Sequence, residues 1–207
     1  MILRTLLISI IFALFIQHQV DAQIRTTYDK NTNIQGGLFY NTSPDYNKYW
    51  NYGYSVAISR EREFNSGWFV LGGLRFGSIS FSDDDYRISN NLPDADLTYD
   101  NSEIYQLWGA IKYEYPILSP RLKAHGLFGI HVSIYQPGSV EYEADPNFNV
   151  AEENSGYGGL LLGGGLGFDL IPNKLRLFAE TQYHLGSTAG NDTIFIGMWP
   201  VEFGISF

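Results

Sequence analysis

Val201-Glu202-Phe203-Gly204-Ile205-Ser206-Phe207 alternates apolar side chains with small or charged ones and finishes on an aromatic residue. An alternation with a period of two predicts a β-strand with one apolar face. Together with the aromatic carboxy-terminus, it is typical of the strand that closes an outer-membrane β-barrel. We therefore expect Phe203, Ile205 and Phe207 to form the signal that the barrel-assembly machinery recognises.

The same period recurs along the chain, and no segment shows the 3.6-residue period of a helix. Segments of this kind cover residues 33–40, 50–60, 67–81, 102–115, 121–135, 157–171, 174–185 and 194–207. Eight strands are the smallest usual number for a membrane barrel. The sequence thus predicts an all-β fold, an eight-stranded antiparallel transmembrane β-barrel.

The two faces of the predicted strands differ in chemistry. On the sixth strand, Leu160 and Leu162 share one face, while Gly163 and Asp169 share the other. A soluble barrel of the lipocalin type would also alternate, with its apolar face inward, so alternation alone leaves both arrangements open. The apolar face is nearly free of charge over whole strands, and this favours a membrane barrel with a packed polar interior.

The connections between the strands alternate in length. They are short at 61–66, 116–120 and 171–174, and long at 82–101 and 136–156. Membrane barrels have short periplasmic turns and long extracellular loops, so we expect both termini to be periplasmic. Tyr105 and Tyr113 share the apolar face of one strand, and their spacing predicts one aromatic girdle at each membrane interface.

The amino-terminal segment has the layout of a secretory signal peptide. Arg4 precedes an apolar run over residues 6–16, and the segment ends on Val20-Asp21-Ala22. The apolar run is shorter than the about 20 residues that a membrane-spanning helix needs. We expect a signal peptide over residues 1–22, cleaved before Gln23, and one outer-membrane β-barrel domain over residues 23–207 in the cell outer membrane.

Composition agrees with export and argues against a nucleic-acid partner. The formal net charge is −9, whereas nucleic-acid binding needs clustered cations. The chain contains no Cys, so an exported domain must be held together without disulfides. The 16% aromatic content and the 22 Gly residues suit strands that place Tyr and Trp at membrane interfaces. We expect outer-membrane lipid and lipopolysaccharide to surround the barrel.

Several segments resemble the PorT-like outer-membrane β-barrel domain family. They are Leu107-Trp108-Gly109-Ala110-Ile111-Lys112-Tyr113-Glu114-Tyr115-Pro116, Ala124-His125-Gly126-Leu127-Phe128-Gly129, the Gly-rich sixth strand, Phe178-Ala179-Glu180-Thr181-Gln182-Tyr183 and the closing residues 203–207. The resemblance covers most of the chain after the leader. It implies a small outer-membrane barrel, and the role of the family's namesake implies a component of a protein secretion or transport system.

Charged residues recur on the predicted inward face and form a candidate lumen charge network. Eight strands enclose an interior just wide enough for side chains to fill it, so we expect these charges to pair with one another and to leave no solute channel. The candidate residues are Arg75, Lys112, Glu114, Lys123, Asp169, Arg176, Glu180 and Glu202.

His131-Val132-Ser133, followed by Glu141 and Glu143, is similar to the His-x-Ser arrangement of outer-membrane lipid A deacylases, which are serine hydrolases. Such a site must face lipid. Val132 lies on the outward face of its strand, however, so the alternation of side chains places His131 and Ser133 inside. We therefore expect a packed lumen histidine, no catalytic residues and no enzyme. A lipid A-modifying hydrolase remains the alternative hypothesis.

The two long loops are the most acidic parts of the chain. Asp83, Asp84 and Asp85 begin the first acidic group, and Glu152 and Glu153 end the second. Neither loop has the ligand spacing of an ordered Ca²⁺ loop, so we expect solvated loops without a metal site, and no cofactor elsewhere. The leading hypothesis is a structural, adhesive or envelope-assembly scaffolding role, with an envelope protein partner bound at these extracellular loops.

Overall fold

A computed structural model describes residues 30–42, 49–92, 96–149, 154–172, 174–188 and 195–207. The predicted signal peptide lies outside the described residues. In chain order the elements are β1 (Lys30–Asn41), β2 (Trp50–Asn65), β3 (Trp68–Phe81), α1 (Asp83–Asn90), β4 (Leu97–Tyr99), β5 (Ser102–Ser119), β6 (Leu122–Gln136), β7 (Val140–Tyr142), a 3₁₀ turn (Pro146–Phe148), β8 (Ser155–Ile171), β9 (Leu175–Thr188) and β10 (Phe195–Ser206).

Eight long strands close into one antiparallel barrel in the order β1-β10-β9-β8-β6-β5-β3-β2. The closing seam joins β1 to β10, where Asn33 opposes Ser206 in register. Beyond that pair, the Thr32 N–H donates to the Phe207 carbonyl over 2.7 Å and the Phe207 N–H donates to the Thr32 carbonyl over 3.0 Å. Closure leaves no unpaired sheet edge, which is the condition for placing strands in lipid. The predicted eight-stranded transmembrane barrel is confirmed.

The apolar phase of each strand points outward. Leu38, Phe203 and Ile130 expose 74%, 67% and 63% of their surface. On the other phase, the adjoining side chains of Phe39, Glu202 and His131 are buried. A soluble protein does not expose a continuous apolar belt of this extent, because burying apolar area is the main driving force of folding in water. The lipocalin-like alternative is excluded, since its apolar phase would face the interior.

Aromatic pairs mark the two ends of this belt. Trp68 and Tyr113 stack with ring centroids 4.8 Å apart near the short turns. Phe76 and Tyr105 lie 5.3 Å apart near the opposite end of the same strands. Tyr105 and Tyr113 are both exposed, as the sequence predicts for two girdles on one strand.

The two ends of the barrel differ. The short turns lie at one end, where Gly67 adopts a φ of 75° between β2 and β3. The long connections lie at the other end and carry α1 and a two-stranded sheet of β4 and β7. The expectation of no helical segment is therefore wrong over residues 83–90. Within the described residues, no helix has both the length and the apolar character needed to cross a bilayer.

Helix α1 forms for local reasons that periodicity does not reveal. Its first turn contains Asp83, Asp84 and Asp85, whose charges interact favourably with the helix dipole. Its C-cap is Asn91, in the left-handed conformation with φ 55°. A helix of eight residues spans little more than two turns, which is too short to display a clear 3.6-residue pattern.

Candidate functional site

The barrel interior contains two clusters of polar side chains, the first of them centred on Arg75 of β3 and Glu202 of β10. The Arg75 Nε donates to Glu202 Oε1 over 3.0 Å, and the Nη2 donates to Oε2 over 2.7 Å. Ser55 donates to Glu202 Oε1 over 2.6 Å, and Gln35 donates to Oε2 over 2.5 Å. This buried carboxylate accepts four hydrogen bonds, which offset the cost of removing it from water.

The rest of the Arg75 guanidinium is also satisfied. Its Nη1 donates to Gln106 Oε1 over 2.7 Å, and its Nη2 donates to Gln182 Oε1 over 2.9 Å. Gln106 and Gln182 in turn hold the buried His184 ring, with Gln106 Nε2 2.9 Å from Nδ1 and Gln182 Oε1 2.7 Å from Nε2. Both edges of the planar Arg75 guanidinium group are thus hydrogen-bonded.

A second cluster lies nearer the short turns. Lys112 forms ion pairs with Glu61 and with Glu114, the latter over 2.8 Å. The Arg176 Nη1 lies 2.5 Å from Glu114 Oε1, and its Nε donates to Asp169 Oδ1 over 2.6 Å. Charges of both signs alternate along this chain of contacts, so each buried charge has an opposite neighbour.

Lys123 completes the second cluster at the mouth of the barrel. Its Nζ lies 3.2 Å from Asp169 and 3.9 Å from Glu114, and its side chain is 26% exposed. A polar cavity of about 80 Å³ opens beside Lys123, Lys174 and Asp169. The outer end of the second cluster is therefore in contact with solvent at the short-turn end.

His125 and Glu180 lie between the two clusters and line the same small cavity as members of the second cluster. His125 Nε2 lies 2.7 Å from Glu180 Oε2, and Gln182 Nε2 donates to the other oxygen of the same carboxylate. Gln182 also accepts a hydrogen bond from Arg75, so these hydrogen bonds join His125 and Glu180 to the first cluster. This cavity of about 20 Å³ is also lined by Asn33 and Trp108, and has room for about one water molecule.

All eight predicted network residues point inward and take part in these contacts. Six of them are buried, while Lys123 and Arg176 are partly exposed. Glu61 is a further member of the network that the sequence pattern did not reveal, because it falls in the predicted connection at 61–66. In the structure β2 continues to Asn65, and Glu61 is buried. Continuing the alternation from Ser55 through Ala57 and Ser59 would have placed Glu61 inside.

An apolar plug closes the lumen at the long-loop end. Tyr135, Met198 and Tyr157 are buried there, and the Tyr157 hydroxyl donates to the Met198 sulfur over 2.8 Å. Ten side chains form this cluster: Phe39, Trp50, Ile79, Phe81, Tyr86, Ile104, Tyr135, Val140, Tyr157 and Met198. A second apolar cluster packs beside the polar side chains within the barrel and consists of Leu71, Trp108, Ala110, Leu127 and Leu161. The interior is thus filled by side chains and closed at the long-loop end by apolar packing.

Part of the plug belongs to a folded cap above the strands. Trp50 Nε1 donates to the Asp100 carbonyl over 3.1 Å, and the Tyr86 hydroxyl of α1 donates to the Phe148 carbonyl. Burial in this cap raises the pKa of the Tyr86 phenol above its usual range, with a further contribution from Tyr49. The expectation of merely solvated loops is therefore wrong for this part of the chain.

The outer surface of the cap is acidic. Asp84, Glu141 and Glu143 are exposed, and Arg87 is held by Asp83 over 2.7 Å. The described acidic residues of this end are Asp83, Asp84, Asp85, Asp96, Asp100, Glu103, Glu141, Glu143 and Asp145. In the described parts of the chain, no three of the His, Asp and Glu side chains are grouped to hold a metal ion.

The structure places His131 and Ser133 inside the barrel, as the alternation of side chains along the strand predicts. His131 Nδ1 lies 3.1 Å from Ser133 Oγ, and the two residues expose 2% and 1% of their surface. Ser133 also accepts a hydrogen bond from Gln106, which belongs to the Arg75 network. The pair therefore faces a packed interior and not the lipid that a deacylase must reach.

The proposed assembly signal lies on the outer face of the closing strand. Phe203, Ile205 and Phe207 expose 67%, 40% and 51% of their surface toward the lipid side. Their recognition by the assembly machinery stays a prediction.

The sequence matches no known family model and no curated protein. Among solved structures, the barrel is similar to Ail, the attachment invasion locus protein of Yersinia pestis, with a TM-score of 0.51, 14% identity and coverage of 88% of this chain and 100% of that one. A structure of Ail with the heparin analogue sucrose octasulfate gives a TM-score of 0.50, 16% identity and the same coverage. These similarities show that the chain has the fold of a small outer-membrane β-barrel.

Proposed function

We propose that this chain is a non-enzymatic, integral outer-membrane protein whose acidic cap binds a partner at the cell surface. One observation carries the proposal: the long loops build a folded cap with an acidic exterior on top of a sealed barrel. The role is structural, adhesive or scaffolding for an envelope assembly. It rests on surface contacts and not on chemistry in the interior.

The filled interior supports a binding role over transport. Arg75 and Glu202 bridge strands that are not neighbours in the barrel, so their ion pair crosses the lumen. The apolar plug then closes the path beyond them. A solute would have to break buried ion pairs at a cost of several kcal/mol each.

The charge of the cap indicates the chemistry of the partner. Exposed carboxylates such as Asp84, Glu141 and Glu143 attract a cationic surface, and the paired Arg87 offers little to an anion. Ail has been crystallised with a polysulfated ligand, sucrose octasulfate. A ligand of that class would be repelled here, so we propose a basic protein or peptide segment as the partner.

The outer face supports placement in a bilayer. An apolar belt bounded by aromatic pairs fits the interfaces of a membrane, with lipid and lipopolysaccharide around it. In this placement the short turns are periplasmic and the cap is extracellular. The barrel-assembly machinery inserts the chain through its closing strand.

The test is a cap-neutralised variant that combines Asp84→Asn, Glu141→Gln and Glu143→Gln. These side chains are exposed, so the variant keeps the heat-dependent gel shift of a folded barrel. Cells that display it adhere less strongly to a poly-lysine surface than cells with the wild-type protein in the same deletion strain. The matched control is Arg121→Gln with Lys174→Gln, which changes charge at the opposite end. Equal adhesion of all three strains would refute the proposed role of the cap.

A PorT-like role in secretion is the second candidate, supported by the sequence resemblance alone. It requires that removal of the gene reduces the export of cargo proteins. The sealed lumen then requires the barrel to act as an accessory component, because cargo cannot pass through it. Normal secretion in the deletion strain would exclude this candidate and leave the cap hypothesis untouched.

A further inference from the structure

Arg60 is an unusual residue for its position on the barrel. It is exposed on the lipid-facing side of β2, directly after Val56 and Ile58 on the same face. In the strands that the structure describes, arginine occurs on this face only at positions 60 and 62. A charge on the lipid face destabilises a barrel by an amount that depends on how deep the charge lies in the bilayer. We therefore expect Arg60 to make a contact that offsets this cost.

The surroundings of Arg60 leave space for such a contact. Its register partners are Thr32 on β1 and Gly72 on β3, and both are small. A Cβ built on Gly72 would meet nothing closer than the Trp108 carbonyl oxygen at 3.6 Å, so backbone crowding does not require glycine there. The Arg60 side chain therefore starts beside a shallow depression in the outer wall, formed by Thr32 and Gly72.

The depression lies close to the membrane interface. Gly72 is four residues from Trp68, whose ring stacks on Tyr113 at the short-turn end of the belt. At about 3.3 Å per residue and a strand tilt near 40°, this spacing is about 10 Å along the membrane normal. An arginine side chain can span most of that distance and bring its charge to the headgroup level.

Among the described residues, the neighbouring strands place no acidic side chain beside Arg60 on this face. The carboxylates of β2, Glu61 and Glu63, belong to the other phase of the strand. In the described parts of β1, β2 and β3, the lipid-facing phase contains no Asp or Glu. The flanking residues Ile58 and Val70 are exposed and apolar, as expected where acyl chains cover the surface.

We infer that Arg60 and the depression formed by Thr32 and Gly72 bind the phosphate group of one anionic phospholipid in the leaflet at the short-turn end. A guanidinium matches a phosphate through two parallel hydrogen bonds. The acyl chains of the same lipid pack on Ile58 and Val70, which a free phosphate or a water-soluble protein cannot do. The site is independent of the partner that binds the cap.

The test is native mass spectrometry of the folded, full-length mature protein in detergent. It is titrated with phosphatidylglycerol and, separately, with phosphatidylcholine of the same acyl chains. The wild type binds one phosphatidylglycerol molecule more tightly than phosphatidylcholine. Arg60→Gln lowers the affinity for phosphatidylglycerol about fivefold, which is the contribution expected of one cation at an anionic headgroup. The control Arg121→Gln removes an exposed cation from the turn at the same end and keeps the wild-type affinity.

A second variant tests the depression without changing charge. Gly72→Val has room for its Cβ and fills the space beside Arg60, so it also weakens phosphatidylglycerol binding while the barrel stays folded. If Arg60→Gln fails to fold, Gly72→Val still tests whether the depression binds the lipid. Unchanged affinity in the variants that fold, an equal loss in Arg121→Gln, or displacement of the lipid by equimolar inorganic phosphate would each overturn the inference.

Discussion

Arg75 and Glu202 form a two-point ion pair across the barrel, with Nε–Oε1 and Nη2–Oε2 distances of 3.0 and 2.7 Å. β3 and β10 are separated by β1 and β2 in the sheet, so this contact joins strands that share no backbone hydrogen bonds. It fastens the closing strand to the opposite wall through side chains alone. The stability of the closed barrel should therefore depend on this pair.

Glu202→Ala is expected to destabilise the barrel by about 3–5 kcal/mol, because it leaves the Arg75 charge buried without its partner. The double variant Arg75→Met with Glu202→Met recovers only part of this loss, since it removes both charges but leaves the Ser55 and Gln35 donors without their acceptor. The measurement is equilibrium urea unfolding in phospholipid vesicles. Glu141→Ala, on the exposed cap, is the control and shifts the free energy of unfolding by less than about 0.5 kcal/mol.

The folded cap can be tested separately from the barrel. Tyr86→Ala removes a buried ring of α1 and its hydrogen bond to the Phe148 carbonyl, so the cap loses packing that the strands do not need. We expect rapid protease cleavage in the loops, while the heat-dependent gel shift persists. Ile88→Ala is the matched control on the same helix, because Ile88 is 76% exposed. Equal protease sensitivity of the two variants would contradict the packed cap.

The hydrolase hypothesis makes a distinct prediction about lipid A. His131 and Ser133 are enclosed and bound to Gln106 and its neighbours, so no acyl chain can reach the serine. We expect the lipid A mass spectrum to be the same in the wild-type strain, the deletion strain and a Ser133→Ala strain. Loss of an acyl chain in the wild type alone would restore the enzyme hypothesis.

The sequence predicts the barrel wall well, because a period of two is a local signal that each strand carries by itself. The predicted strand over 50–60 stops short of Asn65, and that boundary error is why Glu61 was overlooked. The cap was missed for a different reason. The pairing of Leu97 with Tyr142 and the packing of Tyr86 join segments distant in the chain, and no local pattern encodes such contacts.

The closing strand offers a test of membrane insertion. Phe207→Ala removes an exposed aromatic side chain from the end of the chain but keeps the backbone hydrogen bonds between Phe207 and Thr32. We expect slower insertion and less protein in the outer-membrane fraction, with a normal heat shift for the molecules that do insert. Ile205→Ala on the same face should act similarly, and normal outer-membrane levels of both variants would contradict the proposed signal.

Gly165 and Gly109 allow the packing on the two faces of the barrel wall to be compared, because Gly165 faces the interior and Gly109 faces outward. A Cβ on Gly165 would collide with the Ala179 carbonyl oxygen and lie 2.9 Å from His125 Cε1, so the neighbouring strand must move. Gly165→Ala is therefore expected to cost about 1–3 kcal/mol through overpacking. On Gly109, which faces outward, the nearest atom is the Leu71 carbonyl oxygen at 3.7 Å, and Gly109→Ala should cost nothing measurable. The midpoint temperature of the gel shift compares the two variants, and equal midpoints would mean that the interior is less tightly packed than its ion pairs indicate.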